Sequence, residues 1–439
     1  MTGRVNPLPT LVALLAPALA HAQGFGAGYE LQGIHLDPDG VLSSRSTDPD
    51  PELAEIRKKA SKQEKEGALA YISLPRLLDR ARKHIEAGEP LPDEVRYLGG
   101  LVRLQYVFVF PEEGDLVIAG PSEPFDASKN AYRPLGRVTG RPVLHLEDLV
   151  AALRAFRPGS SPDRIGCDIV ITQEIARRVN DKVKEVEKKI LAGMKPAEAA
   201  RQIAEAGGNQ PVKIYGVDPN TRFAFVCVEA DYRLKQLGLD LLPSPVRGVK
   251  SYFANLTRPE PHHRFSLESH YDAVNSSPDG NAFEFRGPSL KVEGGILHLE
   301  GTEKGDASKA AQKFMDACNR NFSSLAEALL SWADLQNLGD LSLLAALIAK
   351  EGLAAKARWD PAWALDPKGF PVTEIKAPES AKVVCNHRFS GGMLLLTSGG
   401  VGLWAKRWAE KVVKTEDAGL RERARRPEKE VWIPTRSSR

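Results

Sequence analysis

Four charged residues stand at alternate positions in one short run of this chain: Glu229, Asp231, Arg233 and Lys235. Two carboxylates beside a guanidinium and an ammonium can hold an anionic ligand or perform general acid–base chemistry. On a helix the same spacing gives two i,i+4 pairs with the acid before the base, the favourable order for structural ion pairs. The run is therefore the candidate ligand-binding site, and salt bridges on the exposed side of a helix are its simpler interpretation.

A glycine-rich stretch near the C-terminus has the spacing of a phosphate-binding loop. Gly400, Gly402 and Ala405 fit a loose form of the dinucleotide fingerprint. The full fingerprint also needs a second strand that ends in an acidic residue about 20 residues further on, and the sequence predicts none. We therefore predict a tight β-turn at residues 398–402 and no cofactor.

The remaining motifs for chemistry are weak. His262, His263 and His270 are clustered, but Pro259 and Pro261 indicate a loop around them. A metal needs three or four converging ligands, and H-E-x-x-H is absent, so no metal site is predicted. G-x-S-x-G and S-x-x-K are also absent. Catalytic residues are therefore unknown, and a hydrolase with a spatially assembled triad stays open as an alternative.

Periodicity predicts the elements that must position these residues. Alternating patterns predict hairpins around the Asp37 to Gly40 turn and at residues 101–119 and 271–291, strands at 165–171 and 212–217, and β structure at 372–403. Helical periods predict helices at 74–86, 147–156, 172–191 and 196–208, one opening at Asp218, and three at 307–322, 324–335 and 338–353. These elements predict an α+β fold: a layered α/β core with mixed or antiparallel strands and flanking helices, plus a small C-terminal β-rich segment.

The length of 439 residues allows two or three domains. Changes in pattern predict a signal peptide at 1–22, an N-terminal hairpin and polar linker at 23–70, and an α/β core domain at 71–242. They further predict a hairpin plus helical segment at 243–355, a β-rich segment at 356–403, and a helix with a basic tail at 404–439.

The N-terminus has the three parts of a secretory signal peptide. Arg4 precedes an apolar run at residues 11–20, and Ala20-His21-Ala22 then provides an A-x-A cleavage site before Gln23. We therefore predict cleavage between Ala22 and Gln23 and a mature protein that is periplasmic or secreted. No apolar run reaches the roughly 20 residues that a transmembrane helix requires. An ordinary cytosolic N-terminus is the alternative.

Positive charge is concentrated at the C-terminus. Residues 404–439 contain eleven basic and six acidic residues, and the densest part is Arg421, Arg423, Arg425 and Arg426. Such a tail can contact an anionic surface, although a solvated, partly disordered end has the same composition. Because the rest of the mature chain is slightly acidic, nucleic acid is not expected as a partner.

The four cysteines, Cys167, Cys227, Cys318 and Cys385, are too far apart in sequence for a CxxC motif. An oxidising compartment permits disulfides, in any of three pairings. The apolar neighbours of Cys167 and Cys227 suit small buried thiols equally well. Both states remain open.

Several runs resemble a family named domain of unknown function 1598, found in exported proteins of planctomycete bacteria. The similar runs are Leu91-Pro92-Asp93-Glu94, Arg96-Tyr97-Leu98, Gln105-Tyr106-Val107-Phe108-Val109, Ile118-Ala119-Gly120-Pro121, Gly140-Arg141-Pro142-Val143, Leu146-Glu147-Asp148-Leu149, Val228-Glu229-Ala230-Asp231-Tyr232-Arg233 before Lys235, and Leu335-Gln336-Asn337-Leu338 with Asp340-Leu341. The resemblance extends from the Asp37 turn to Gly400, and Leu234 stands where the family pattern has Met. It implies export and supplies no catalytic residue.

Together these observations favour an exported bacterial protein that acts by binding or as a cell-envelope component and without catalysis. Its expected partner is an unknown protein or envelope component. Two alternatives are kept. One is a hydrolase with a spatially assembled active site, and the other is a protein held at the envelope surface by its basic C-terminal tail.

Overall fold

The computed structural model describes residues 29–31, 34–37, 39–44, 68–128, 130–258, 260, 262–296, 306–388 and 393–425. The predicted signal peptide, its cleavage site at Ala22 and Gln23, most of the polar linker and Arg426 lie outside the described residues.

Strands and helices alternate along the chain. The strands are β1 (Tyr29–Leu31), β2 (Ile34–Leu36), β3 (Val41–Ser44), β4 (Ala68–Ser73), β5 (Tyr106–Phe110), β6 (Asp115–Ser122), β7 (Phe125–Asp126), β8 (Leu135–Gly136), β9 (Ile165–Ile169), β10 (Asn209–Tyr215), β11 (His263–His270), β12 (Ala273–Ser276), β13 (Ala282–Arg286), β14 (Ser289–Ile296), β15 (Ser380–Lys382), β16 (Cys385–Arg388), β17 (Met393–Leu403) and β18 (Val413–Lys414). The helices are α1 (Leu74–Glu86), α2 (Asp93–Arg96), α3 (Leu146–Ala155), α4 (Gln173–Leu191), α5 (Pro196–Gly207), α6 (Arg222–Gly238), α7 (Tyr252–Asn255), α8 (Lys309–Arg320), α9 (Phe322–Ala328), α10 (Leu330–Glu351), α11 (Leu353–Lys356), α12 (Ala362–Leu365), α13 (Ala405–Glu410) and α14 (Ala418–Arg423), with a 3₁₀ turn at Leu98–Gly100.

Two large sheets organise these elements. The first has the strand order β1-β2-β3-β15-β10-β9-β17-β11-β14, with β16 paired to the start of β17. It is mixed, because β15 runs parallel to β3 and β11 runs parallel to β17, while its other pairs are antiparallel. The second has the order β18-β12-β13-β5-β6-β4. With helices packed against these sheets, the predicted α+β class is confirmed.

Local signals set the bounds of several helices as predicted. The Ser73 hydroxyl accepts a hydrogen bond from the amide of Arg76 and caps α1, whose apolar stripe is buried from Leu74 to Ala81. The Thr172 hydroxyl caps α4 in the same way, through the amide of Ile175. Both helices begin where a capping side chain precedes an apolar period, which is information contained in the sequence itself.

The prediction of two separate helices at 324–335 and 338–353 is wrong. One continuous helix, α10, runs across the polar Gln336 and Asn337. Gln336 donates to the carbonyl of Pro288 at 2.7 Å, and Asn337 donates to that of Pro142 at 3.1 Å. Carbonyl groups of neighbouring segments accept hydrogen bonds from both side chains, so these polar residues do not end the helix, and α10 is buried on all sides from Leu330 to Ile348.

The predicted tight turn at residues 398–402 is also wrong, because these residues lie inside β17. A Cβ placed on Gly402 would overlap the Glu268 carboxylate, and one placed on Gly400 would overlap that of Asp168. Glycine is needed at these two positions because side chains from the neighbouring strands occupy the space that a Cβ atom would fill. The chain does not reverse direction there.

The two large sheets combine strands from different predicted domains. The first sheet combines β1–β3, β9 and β10 with β11, β14 and β15–β17. The division of the chain into ranges stays a prediction about folding units. No helix in the described part of the chain is long and apolar enough to cross a membrane.

Candidate functional site

Helix α6 holds the four candidate residues and lies in the middle of the fold. It packs against β9, β11 and β17 on one side and against α10 on another. Every residue from Arg222 to Gly238 is buried. The expectation that the charged residues form the exposed side of a helix is therefore wrong, and their charges must be balanced inside the protein.

Glu229 pairs with a residue far away in sequence. Its carboxylate accepts two hydrogen bonds from Arg133, at 3.2 and 2.6 Å. Arg233, the partner expected from the i,i+4 spacing, donates to the side-chain oxygen of Gln236 at 3.2 Å. The structure therefore brings Glu229 into an ion pair that periodicity on one helix does not predict.

The Glu229–Arg133 pair continues into a ladder of buried charges. Arg133 also donates from Nε to Asp334 at 2.5 Å, and Arg222 donates from Nη2 to the other oxygen of Asp334 at 2.7 Å. Arg222 then binds Asp148 through Nη1. All five side chains are at most 4 % exposed. We call Glu229, Arg133, Asp334, Arg222 and Asp148 the ion ladder.

The ion ladder contains three carboxyl groups and two guanidinium groups. Burial raises the pKa of Asp148 to about 7, although Arg222 opposes the shift. Burial alone would lower the pKa of Arg222, but Asp148 and Asp334 raise it more, so Arg222 stays charged. The nearby His145 has a pKa far below its usual range because of burial and repulsion from Arg222 and Arg133. At neutral pH His145 is uncharged and Asp148 is partly protonated.

Replacing Asp148 with asparagine is expected to change how stability depends on pH. The folded pKa of Asp148, about 7, lies above its unfolded value of 3.8, so the folded state holds the proton more tightly between these values. The contribution of Asp148 to stability is therefore greatest at low pH and decreases as pH rises through that interval. Urea unfolding at pH 4.5 and pH 7.5 measures the free energy of unfolding. This free energy should decrease less between the two pH values for D148N than for the natural chain. Equal losses in the two proteins would contradict the raised pKa.

Asp231 and Lys235 form the i,i+4 pair that the sequence predicts, but the pair is sealed in the interior. Their charged groups are 3.8 Å apart, and both side chains are at most 1 % exposed. Among the described residues no side chain completes a hydrogen bond to the Asp231 carboxylate or to Nζ of Lys235, although the backbone amide of Gly400 acts to lower the pKa of Asp231. Burial raises the pKa of Asp231 to about 6 and lowers that of Lys235 to about 8, despite their mutual attraction. The pair is therefore only weakly stabilised in its charged form.

Two adjacent glycines of β17 separate this buried pair from a second charged group. A Cβ on Gly399 would overlap the Asp231 carboxylate, and one on Gly400 would overlap that of Asp168. Neighbouring strand residues point to opposite faces, so the side chains of Asp231 and Asp168 lie against opposite faces of β17. On the far side Asp168 binds Arg164 at 2.9 Å and Arg264 at 2.6 Å.

Replacing Gly399 with alanine is expected to destabilise the fold by about 1–3 kcal/mol, because the new methyl group displaces the Asp231 side chain. Gly238→Ala is the matched control, since its added carbon would have its nearest neighbour, Phe314, at 3.7 Å. Thermal unfolding of the two variants should show a lower Tm for G399A only. A Tm for G399A equal to that of the natural chain would contradict this packing.

The clustered histidines do not form one site. His263 is buried, binds Tyr252 through Nδ1 at 2.8 Å and accepts from the Ser308 amide through Nε2 at 3.3 Å. His270 instead packs edge-on against Trp408. Within the described ranges no group of three or more His, Cys, Asp or Glu side chains could hold a metal ion. All four cysteines are free, and Cys385 is the one that is only partly buried.

The described part of the basic tail is docked on the protein through Leu420, while its arginines at 421, 423 and 425 are exposed to solvent. Leu420 of α14 is 1 % exposed and packs with Tyr106 and Phe108 on the second sheet. The guanidinium of Arg423 lies 5.3 Å from the ring centre of Tyr106. Ala424, which follows α14, joins the same cluster.

An open cavity of about 460 Å³ lies beside this helix. Its walls are α14, residues 277–281 between β12 and β13, and the end of β5. We call it the C-terminal groove, and its lining includes Phe110, Pro278, Asn281, Arg421 and Arg425.

Sequence reasoning identified Glu229, Asp231, Arg233 and Lys235 but missed the residues that the fold brings to them. Asp148, Arg222 and Asp334 each lie among buried residues of a core helix. A charged residue flanked by apolar residues of a predicted core helix is the signal that could have identified them, since such a charge needs an internal partner. The sequence holds no signal for which charge pairs with which.

Comparison with known proteins identifies a family that matches part of the chain. Residues 167–252 match a family described as a protein of unknown function, DUF1598. The matched stretch contains α6 and the four candidate residues, while the similar runs before Cys167 and after Tyr252 lie outside it. None of the curated proteins and none of the solved structures matches the chain.

Proposed function

We propose that this chain is an exported protein of the cell envelope that binds a partner and catalyses no reaction. The observation behind the proposal is the burial of α6, because Glu229, Asp231 and Lys235 are at most 2 % exposed. A catalytic acid or base must come within hydrogen-bond reach of its substrate, and these groups contact other parts of the protein instead. The C-terminal groove and the basic side chains beside it are accessible to a partner.

Export rests on the signal-peptide pattern before Gln23 and is tested on the protein itself. N-terminal sequencing of the protein recovered from its native cells should begin at Gln23. A sequence that begins at Met1 would contradict export.

Binding without catalysis is tested with the purified mature chain and isolated cell-envelope material. The chain is expected to sediment with this material and to release no more reducing sugar, amino groups or phosphate than the heat-denatured protein does. Absence of sedimentation would contradict binding at the envelope. Product release above the denatured control would favour the hydrolase alternative.

The docked basic segment favours a second candidate function, attachment to an anionic surface. Arg421, Arg423 and Arg425 are exposed around the buried Leu420. Docking of α14 fixes these cations at one place on the molecule, which strengthens their attraction to a negatively charged polymer or lipid.

A chain that ends at Leu420 is expected to lose the salt-sensitive part of its retention on envelope material, because the basic residues are removed while Leu420 can still pack. Retention at about 50 mM and 500 mM salt measures this part, since salt screens exposed charges. The control replaces four exposed residues of α4 with glutamine: Arg177, Lys184, Lys188 and Lys189. If the control loses as much retention as the shortened chain, total charge rather than the tail is responsible.

A further inference from the structure

The C-terminal groove has the size and lining of a small-molecule site. Its volume of about 460 Å³ falls in the range of roughly 300–1,000 Å³ that is typical of ligand pockets. Phe110 and Pro278 provide apolar walls, while Asn281 and two arginines provide polar groups. A ligand that fits this lining has an apolar surface and a charged end.

Cations from separate elements surround the residues between β12 and β13. Lys356, at the end of α11, donates to the carbonyl of Gly280 at 3.3 Å. Lys414, in β18, donates to the carbonyl of Pro278 at 3.2 Å. The cations that line the groove are Arg421 and Arg425 on the opposite wall, and the two lysines lie beside the residues that form its other wall. The concentration of charge is therefore a product of the fold and not only of the tail sequence.

The acidic groups at the groove have partners within the protein. The carboxylate of Asp279 accepts hydrogen bonds from the hydroxyl of Ser277 and from the amide and side chain of Asn281, and its pKa is lowered. Glu416 forms an ion pair with Arg421. Lys356 and Lys414 contact uncharged carbonyls, so cations exceed carboxylates around the groove.

We propose that the C-terminal groove binds a compact organic anion, an acidic sugar or a sugar phosphate. Its anionic group lies against Arg421 and Arg425, and the carbon face of its ring lies against Phe110 and Pro278. Arginine suits this role because its planar fork of N–H groups matches the oxygens of carboxylate and phosphate. The inference rests on the proposed binding function and names the ligand class and the place of binding.

Calorimetry with the full mature chain tests the groove. The probes are trigalacturonic acid, glucose 6-phosphate and, as the neutral reference, maltotriose. The natural chain is expected to bind at least one acidic probe at least about tenfold more tightly than maltotriose. Tighter binding of trigalacturonic acid identifies a carboxylate ligand, and tighter binding of glucose 6-phosphate identifies a phosphate ester.

Two charge-matched variants locate the site. R421Q/R425Q should weaken binding of the acidic probe by at least about tenfold, because charge-assisted contacts to its anionic group are lost. R177Q/K188Q, which removes two exposed charges from α4, should leave binding unchanged. Amide exchange should also slow at residues 277–282 and 418–425 when the probe is bound.

Equal binding by the two variants, or failure of both acidic probes to bind the natural chain, would overturn the groove proposal. These failures can be told apart from failure of the proposed function. A chain that sediments with envelope material while both acidic probes fail retains its binding function without this groove. If the chain neither sediments with envelope material nor binds an acidic probe, both the proposed function and the groove proposal are wrong.

Discussion

Replacing Arg133 with methionine is expected to lower the free energy of unfolding by about 3–5 kcal/mol, because Glu229 and Asp334 then remain in the interior without their shared cation. Arg133 is 2 % exposed and makes hydrogen bonds to both carboxylates. Urea unfolding at pH 7 measures the loss.

The control for Arg133 lies four residues further along the chain. Arg137 pairs with Asp126 at 3.3 Å, but its side chain is 61 % exposed. R137M should cost less than about 1 kcal/mol, because water solvates both charges after the pair is broken. Similar losses for the two variants would contradict the structural role of the ion ladder.

A double variant tests whether the loss of stability in R133M comes from leaving Glu229 without its cation. R133M/E229M removes one cation and one carboxylate together and should recover part of the stability that R133M loses, since replacing a whole buried pair by apolar groups is often neutral. A double variant that is no more stable than R133M would show that Glu229 is not the group left unbalanced.

Replacing Lys235 with methionine is expected to cost about 3–5 kcal/mol at pH 8, because Asp231 then remains buried without a counter-charge. The cost should be smaller at pH 5. Asp231 already has a raised pKa, about 6, and Lys235 is one of the groups that lower it. Without Lys235 the pKa of Asp231 rises further, so the carboxyl group is neutral at pH 5 and its burial costs less.

The sequence provides an unusually close control for K235M. Glu185 and Lys189 on α4 are also an i,i+4 pair with the acid first, at 2.6 Å, but their side chains are 44 % and 47 % exposed. K189M should lower the free energy of unfolding far less than K235M at either pH, because water solvates Glu185 after the pair is broken. Urea unfolding of both variants at pH 5 and pH 8 compares a buried and an exposed ion pair that have the same i,i+4 spacing. A cost for K235M that does not depend on pH would contradict the account of Asp231.

Local elements of the fold were predictable because the signals that form them are local. Helix α1 was predicted with its observed bounds, and α4 begins one residue after its capping Thr172. The prediction failed at Asn337 and at Gly400, where the outcome depends on residues distant in sequence. A carbonyl from Pro142 keeps Asn337 in a helix, and the carboxylate of Asp168 occupies the space that Gly400 leaves.

The candidate site divides in the same way. The one-turn separation of Asp231 and Lys235, which lets them pair, follows from the 3.6-residue helical period and can be read from the sequence. The burial of that pair, the binding of Glu229 to Arg133 and the positions of the cations around the C-terminal groove depend on the packed fold. Burial and long-range pairing depend on which surfaces pack together, and many residues far apart in the chain determine that packing jointly.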